Sequence, residues 1–339
     1  MTYPELLAQA KTNIGPKCRV CRECNGVVCR GEIPGPGGKG TGNAFIHSYE
    51  YLSKVKIHMD TLYESKGQDT SVELFGRSFD FPIFAAPIGA IQTNYNDFHD
   101  ELSYARAIIS GMAAAGCAGF TGDGVREDFF TDPLIAVKEA GGVGVPTIKP
   151  WAKAEVLHKI KLTEAAGAMA VAMDIDAAGL VLLAAAGKPV QPKSVAELRE
   201  IIGSTQLPFI IKGIMTPEAA VNAADAGAYG IVVSNHGGRV LDNTPAPCEV
   251  LPEIRRAVGD RLKIFVDGAI RTGGDVFKAI ALGADAVLIG RTYVIAAFGD
   301  GAEGVALYTK KLGAELAETM IMAGCASLSD ITADKVTVI

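Results

Sequence analysis

Residues 262–291 read Leu262-Lys-Ile-Phe-Val-Asp267-Gly-Ala-Ile-Arg271-Thr-Gly-Gly-Asp-Val-Phe-Lys278-Ala-Ile-Ala-Leu282-Gly-Ala-Asp-Ala286-Val-Leu-Ile289-Gly-Arg291. Two short apolar runs, Leu262–Val266 and Ala286–Ile289, flank a segment, Asp275–Leu282, at helical spacing. That is one strand–helix–strand unit, and the pattern extends upstream. Further apolar runs at Pro82–Pro87, Ala118–Thr121, Val143–Ile148, Ala168–Met173, Pro208–Lys212 and Gly230–Ser234 bring the total to eight. Helical segments separate them, Glu101–Ala115 and Pro217–Ala226 among them, and Val305–Met322 follows the last. Continuous apolar strands alternating with helices need a parallel sheet covered on both faces. Eight such units predict an α/β chain closed into a (β/α)8 barrel over residues 81–339. An open doubly wound sheet is the alternative.

Composition agrees with a large core. The chain has 339 residues, 49% of them apolar and 21% charged, which excludes a disordered chain. The formal net charge of −6 gives no basic footprint for nucleic acid. The start, Met1-Thr2-Tyr3-Pro4-Glu5, lacks the basic and apolar regions of a secretion signal. The most apolar stretch, Ala165–Gly187, carries Asp174 and Asp176 in its middle. A charge at a bilayer centre costs roughly 2.5–3.5 kcal/mol, so no membrane association is expected, and the expected location is the cytoplasm. A homo-oligomer is expected.

Residues 1–80 differ from the rest and read as an N-terminal cysteine- and glycine-rich appendage. Four of the seven cysteines, Cys18, Cys21, Cys24 and Cys29, crowd together there. The run Gly31-Glu-Ile-Pro-Gly-Pro-Gly-Gly-Lys-Gly-Thr-Gly42 follows and must be loop. It is no P-loop, because Gly40 stands where a Ser or Thr would hold magnesium. Cys117, Cys248 and Cys325 are scattered and read as small buried apolar residues.

Active sites of such barrels lie at the C-terminal strand ends. Those ends here carry Pro87-Ile88-Gly89, Thr121-Gly122-Asp123, Lys149, Asp174, Lys212-Gly213, Ser234-Asn235-His236, Asp267-Gly268 and Gly290-Arg291. His236 sits on a glycine turn three residues before Arg239. Histidine titrates near neutrality and suits a general base, and arginine offers a planar fork to a carboxylate. The bland reading of this segment is a solvated loop. Around the last two strands, glycines let backbone N–H groups approach a phosphate, and Arg271 and Arg291 add charge. Lys149 and Lys212 at strand ends either face an anion, such as a reduced flavin, or form salt bridges to Asp174 or Asp267.

Ser234-Asn-His-Gly-Gly-Arg239, with Asp267-Gly-Ala-Ile-Arg271 and Gly290-Arg291, resembles the FMN-dependent α-hydroxy acid oxidase and dehydrogenase family, which includes glycolate oxidase and lactate oxidase. The likeness is strong from Leu207 to Ile331 and weaker back to about Ser71. It implies a TIM barrel with FMN at its mouth and a small 2-hydroxy acid as the carboxylate substrate, with the electron acceptor left open. By the same likeness His236 is the catalytic base and Asp174 the carboxylate that orients it. Lys212 lies beside flavin N1 and O2, and Arg239 binds the substrate carboxylate. Pro87, Ser234, Asp267, Gly268, Arg271, Gly290 and Arg291 fall at cofactor-binding positions.

The departures from the family pattern are specific. A second carboxylate-binding arginine is expected just after Gly179, where Leu180 and Val181 stand. The third strand ends Pro146-Thr-Ile-Lys-Pro150 instead of carrying glutamine and tyrosine, so Lys149 becomes the candidate second substrate contact. No counterpart of the family's N-terminal tyrosine is found, and the segment between strands four and five is short for a lid. The cysteines follow Cys-x2-Cys-x2-Cys-x4-Cys, a spacing that suits an iron–sulfur cluster, a zinc site, or free thiols in a basic loop. Three functions fit: FMN-dependent oxidation of a 2-hydroxy acid, a non-redox isomerisation on reduced FMN like that of type 2 isopentenyl diphosphate isomerase, or flavin-based redox sensing. An IMP-type dehydrogenase is disfavoured, since no cysteine lies in the required glycine/serine loop.

Overall fold

A computed structural model describes residues 1–339. Eight parallel strands close into a barrel. In chain order they are β1 (Ile83–Ala85), β2 (Ala118–Thr121), β3 (Val145–Ile148), β4 (Val171–Asp174), β5 (Phe209–Ile214), β6 (Gly230–Val233), β7 (Lys263–Asp267) and β8 (Ala286–Ile289). Each expected run supplies one strand, with ends shifted by up to three residues. Val287 of β8 pairs with Ile83 of β1 and closes the ring. The open-sheet alternative is therefore excluded.

Local sequence explains the crossovers. The helix Gly273–Ala281 starts at Thr272, whose hydroxyl accepts from the Asp275 N–H while the Asp275 carboxylate takes the Thr272 N–H. Such a reciprocal cap satisfies two otherwise orphaned donors. Gly230 must be glycine for β6 to pair with β7, since a Cβ there would come within 2.6 Å of the Lys263 carbonyl. The last helix, Arg291–Met322, begins directly at the end of β8 and breaks at Asp300 and Gly301. No helix is long and apolar enough to cross a membrane.

The barrel interior is filled by apolar side chains, chiefly Phe84, Phe120 and Phe265 in edge-to-face contact. Each buried aromatic of this kind contributes on the order of 1.5–3 kcal/mol. The hairpin Val72–Leu74/Arg77–Phe79 plugs the N-terminal end, with Phe75 stacked on Phe265 at 5.9 Å. A larger apolar layer joins strands to the surrounding helices.

Residues 1–80 are packed onto the barrel rather than standing off it. The helix Tyr3–Ile14 buries Leu6, Ala10 and Ile14, with Leu6 against Gly299 and Gly304 of the last helix. The glycine/proline loop folds over the barrel mouth: the Lys39 N–H donates to Gly238 O at 2.8 Å, and Asp242 accepts from Thr41 N–H and Oγ1. Sequence pattern separated this segment because it lacks the strand–helix alternation.

Candidate active site

A cavity of about 340 Å³ opens at the C-terminal strand ends, within the range of small-molecule sites. Pro87, Lys149, Lys212, His236, Arg239, Asp267, Gly268, Arg271, Gly290 and Arg291 all line it, as the sequence led one to expect. Ser234 does not. It lies behind the wall, where its hydroxyl accepts from Lys212 Nζ at 2.9 Å and donates to Asp267 at 2.8 Å. It also accepts the His236 N–H at 3.0 Å, so it holds the loop that carries His236.

His236 has φ 58, followed by Gly237 at 60 and Gly238 at 77. This left-handed run is strained for histidine and is held by Asn235, whose Oδ1 accepts the Gly238 N–H and whose Nδ2 donates to Thr244 and Pro245. His236 Nδ1 meets Asp176 Oδ1 at 2.9 Å, and no protein group bonds Nε2. Asp174, the expected partner, lies 4.0 Å from Nδ1 and instead takes Lys149 Nζ at 2.5 Å. The reason is local. A 3-10 turn, Ile175–Gly179, follows β4 and brings the second carboxylate to the ring. The repeated aspartate in Asp174-Ile-Asp176 was the available signal.

Charges alternate through this buried cluster. Lys212 lies 3.6 Å from Asp267 and 3.8 Å from Asp176. Burial would lower the Lys212 ammonium, but Asp176, Asp267 and Asp174 outweigh it and raise its pKa. Burial would likewise raise Asp176, yet Lys212 and His236 hold it down to about 2. His236 is shifted below its ordinary value, mainly by burial, against the opposing pull of Asp176. A neutral imidazole with a free Nε2 in the cavity can accept a proton. The ligand atoms of Asp174, Asp176 and His236 converge within 4.8 Å of one another, but Lys149 and Lys212 already neutralise those carboxylates. The salt-bridge reading of both lysines thus holds, and both still face the cavity.

Arg239 is tied to the covering loop. Its Nη1 donates to Gly35 O at 2.6 Å and Gly37 O at 3.0 Å, and Nη2 donates to Asn94 Oδ1 at 3.0 Å. Its Nε–H has no protein acceptor. Gly35, Pro36 and Asn94 are cavity residues that sequence reading missed, because nothing in a glycine/proline run announces where it folds back. Where the second arginine was sought, Leu180, Leu182 and Leu183 form an apolar wall with Val125 and Phe129. The short segment after β4 therefore does line the site.

The cavity fits FMN. At one end the N–H groups of Gly268, Ala269 and Ile270 have no acceptor in the protein, nor do those of Gly290, Arg291 and Thr292 at the start of the last helix. Gly268 (φ 101) and Ala269 (φ 63) form a left-handed turn of the kind that points amides at an anion. A helix N-terminus beside it adds favourable dipole. Arg271 and Arg291 flank this end.

Comparison with known proteins agrees with this geometry. Residues 36–182 and 185–338 match the family described as FMN-dependent dehydrogenase. A 4-hydroxymandelate oxidase from Amycolatopsis orientalis is 31% identical over 335 residues, covering 86% of this chain and 89% of that protein. An L-lactate oxidase from Alicycliphilus denitrificans is 52% identical over 141 residues, which is 42% of this chain and 39% of that protein. An L-lactate oxidase from Roseobacter is 44% identical over 151 residues, 44% of this chain and 41% of that protein. The chain thus spans about two fifths of the length of these two lactate oxidases. A crystal structure of mandelate oxidase superposes with a TM-score of 0.81 at 27% identity, over 99% of this chain and 97% of that one.

Proposed function

The chain belongs to the FMN-dependent dehydrogenase family, and on that premise we propose that it oxidises a 2-hydroxy acid to the 2-oxo acid. The observation that carries this reading is His236, with Nδ1 held by Asp176 and Nε2 free in a cavity whose far end is a phosphate-type cradle. Bound FMN would supply the two-electron acceptor. Gly268, Ala269, Gly290, Arg271 and Arg291 would hold its phosphate end, Pro87 would back its ring, and Lys212 would place positive charge where anionic charge grows on reduction. His236 Nε2 takes a proton from the substrate, and the Asp176 carboxylate stabilises the resulting imidazolium. Arg239 Nε–H and Lys149 Nζ receive the carboxylate, with the single arginine standing where related sites pair two. The wall of Val125, Phe129, Leu180, Leu182 and Leu183 favours a substrate with a bulky apolar side chain over glycolate.

The test is anaerobic flavin bleaching of the holoprotein against 2-hydroxy acids of increasing side-chain size, followed by air. Bleaching by apolar members of the series supports the reading, and slow reoxidation in air identifies a dehydrogenase. Turnover only after chemical reduction, with no acceptor consumed, gives the isomerase reading instead. No bleaching and no turnover on any compound leaves a flavin-based sensor.

A further inference from the structure

The proposed reaction makes no use of the four cysteines between residues 18 and 29, and the structure gives them a common setting. Cys18, Cys21, Cys24 and Cys29 all line one small cavity of about 30 Å³, separate from the main one. The cysteines are free, not paired as disulfides. Three are sheltered and Cys21 is exposed, so the cavity lies just beneath the surface. Their sulfurs do not converge as the ligands of one ion would: the only trio within 4.8 Å is Asp174, Asp176 and His236. Four thiolates on a single zinc, each about 2.3 Å from the metal, would have to meet almost at a point. Thiolates on a cubane stand apart around a core, because each ligates a different iron.

The loop is shaped and fastened around this cavity. Val20, between the first two cysteines, is at φ 46, a conformation that a β-branched residue adopts only when its surroundings impose it. Arg19 clamps Glu32 with two hydrogen bonds of 2.6 and 2.8 Å, and Arg271 Nε donates to Cys24 O at 3.1 Å. Arg291 lines the cavity wall.

Position relative to the main site is the decisive point. Pro36, Tyr95 and Arg291 line both cavities, so the cysteine cavity shares a wall with the phosphate end of the proposed flavin site. Its opposite side reaches solvent at Cys21.

We infer that Cys18, Cys21, Cys24 and Cys29 ligate one [4Fe–4S] cluster, which carries electrons from the flavin site to a one-electron acceptor protein at the surface beside Cys21. The relay part rests on the proposed hydroxy acid oxidation; the cluster itself does not. Oxidation of one substrate hydroxyl to a carbonyl releases two electrons and two protons. The cluster passes the electrons singly, two acceptor molecules are each reduced by one electron, and the protons go to solvent.

The experiment is anaerobic purification of the full chain, with iron, acid-labile sulfide, zinc and FMN measured per chain, and electron paramagnetic resonance after dithionite. The inference expects about four iron and about four sulfide per chain and a reduced-cluster signal at low temperature. Cys21→Ser and Cys24→Ser should each lose the iron and the signal, with FMN content as the control for folding. Both should also lose substrate-driven reduction of benzyl viologen, a one-electron acceptor. Zinc in place of iron, or no iron after reconstitution with ferrous iron and sulfide, overturns the cluster. Iron present, but viologen reduction equal in wild type and both variants, overturns the relay. If no 2-hydroxy acid bleaches the flavin while iron and sulfide are found, the function fails and the cluster stands, since its measurement needs no substrate.

Discussion

His236 Nδ1 lies 2.9 Å from Asp176 Oδ1 but 4.0 Å from Asp174 Oδ2, so the carboxylate two residues beyond the strand end orients the imidazole. The strand-end carboxylate is committed to Lys149. Two aspartates thus divide the work: one faces the imidazole, the other anchors a lysine at the substrate side.

This division has a pH signature. Burial lowers the His236 pKa and Asp176 raises it. Removing that carboxylate lets the pKa fall further, so the acid limb of the flavin-reduction rate should move to lower pH in Asp176→Asn. The plateau should also drop, up to on the order of 10⁴-fold, because the imidazolium formed in the reaction loses its counter-charge and its orientation. Asp174→Asn should leave the limb nearly in place. Stopped-flow reduction rates from pH 5 to 9 separate the two, and equal shifts would contradict the assignment.

Replacing the base itself has a simpler outcome. His236→Ala should keep FMN, since the ring's hydrogen bond is to Asp176 and not to a cradle residue. Reduction by substrate should slow roughly 10²–10⁴-fold, the usual contribution of a positioned base. Bleaching at the wild-type rate would remove His236 from the mechanism.

Acid stability should follow from the same cluster. The Asp176 carboxyl is held down to about 2 from an ordinary 3.8, so folding favours its ionised form. That contribution is complete above pH 3.8 and is lost as pH falls through 2. It amounts to about 2 kcal/mol. His236, shifted below 6.5, acts in the same direction from pH 6.5 downward, because the unfolded chain takes up the proton first. Asp176→Asn should therefore lose less stability than wild type between pH 4 and 2 in urea titrations. A steeper loss in the variant would contradict the pairing.

The barrel and most of the site were legible because strand ends are local features. An apolar run followed by His236, Asp267-Gly268 or Gly290-Arg291 announces both the strand and the mouth. The expected strands Ala118–Thr121 and Ala286–Ile289 coincide with β2 and β8 to the residue. What stayed hidden depends on contacts distant in sequence. Asp176 reaches the histidine only through the 3-10 turn after β4. Gly35 and Gly37 meet Arg239 across some two hundred residues. The acceptors that Arg239 meets at Gly35 and Gly37 are backbone carbonyls, which every residue has, so side-chain pattern carries no trace of them.

That loop gives a further prediction. Arg239 holds Gly35, Gly37 and Asn94 together through three hydrogen bonds, in a site where its own charge is disfavoured: burial, then Arg291, lowers its pKa to about 10. Arg239→Met should raise KM for the carboxylate substrate more than it lowers kcat, since carboxylate binding persists into the transition state. It should also expose residues 31–42 to limited proteolysis. An unchanged KM with a cleaved loop would leave Arg239 as a fastening residue alone.

The proposed phosphate cradle should decide which flavin is bound. Six N–H groups, on Gly268, Ala269, Ile270, Gly290, Arg291 and Thr292, lack protein acceptors, and Arg271 and Arg291 stand beside them. Hydrogen bonds to a charged group contribute about 1.5–3 kcal/mol each, so even two of them favour FMN over riboflavin by about 100-fold or more. Fluorescence-quenching titration of the deflavinated protein with both flavins measures this directly. Gly268→Val should abolish the preference, because φ 101 is strained for any side chain and the added Cβ would sit 3.2 Å from Pro247 Cγ. The turn would then have to open, and its amides would no longer converge. Equal affinities for the two flavins in the wild-type protein would place the phosphate elsewhere and leave those amides without a ligand.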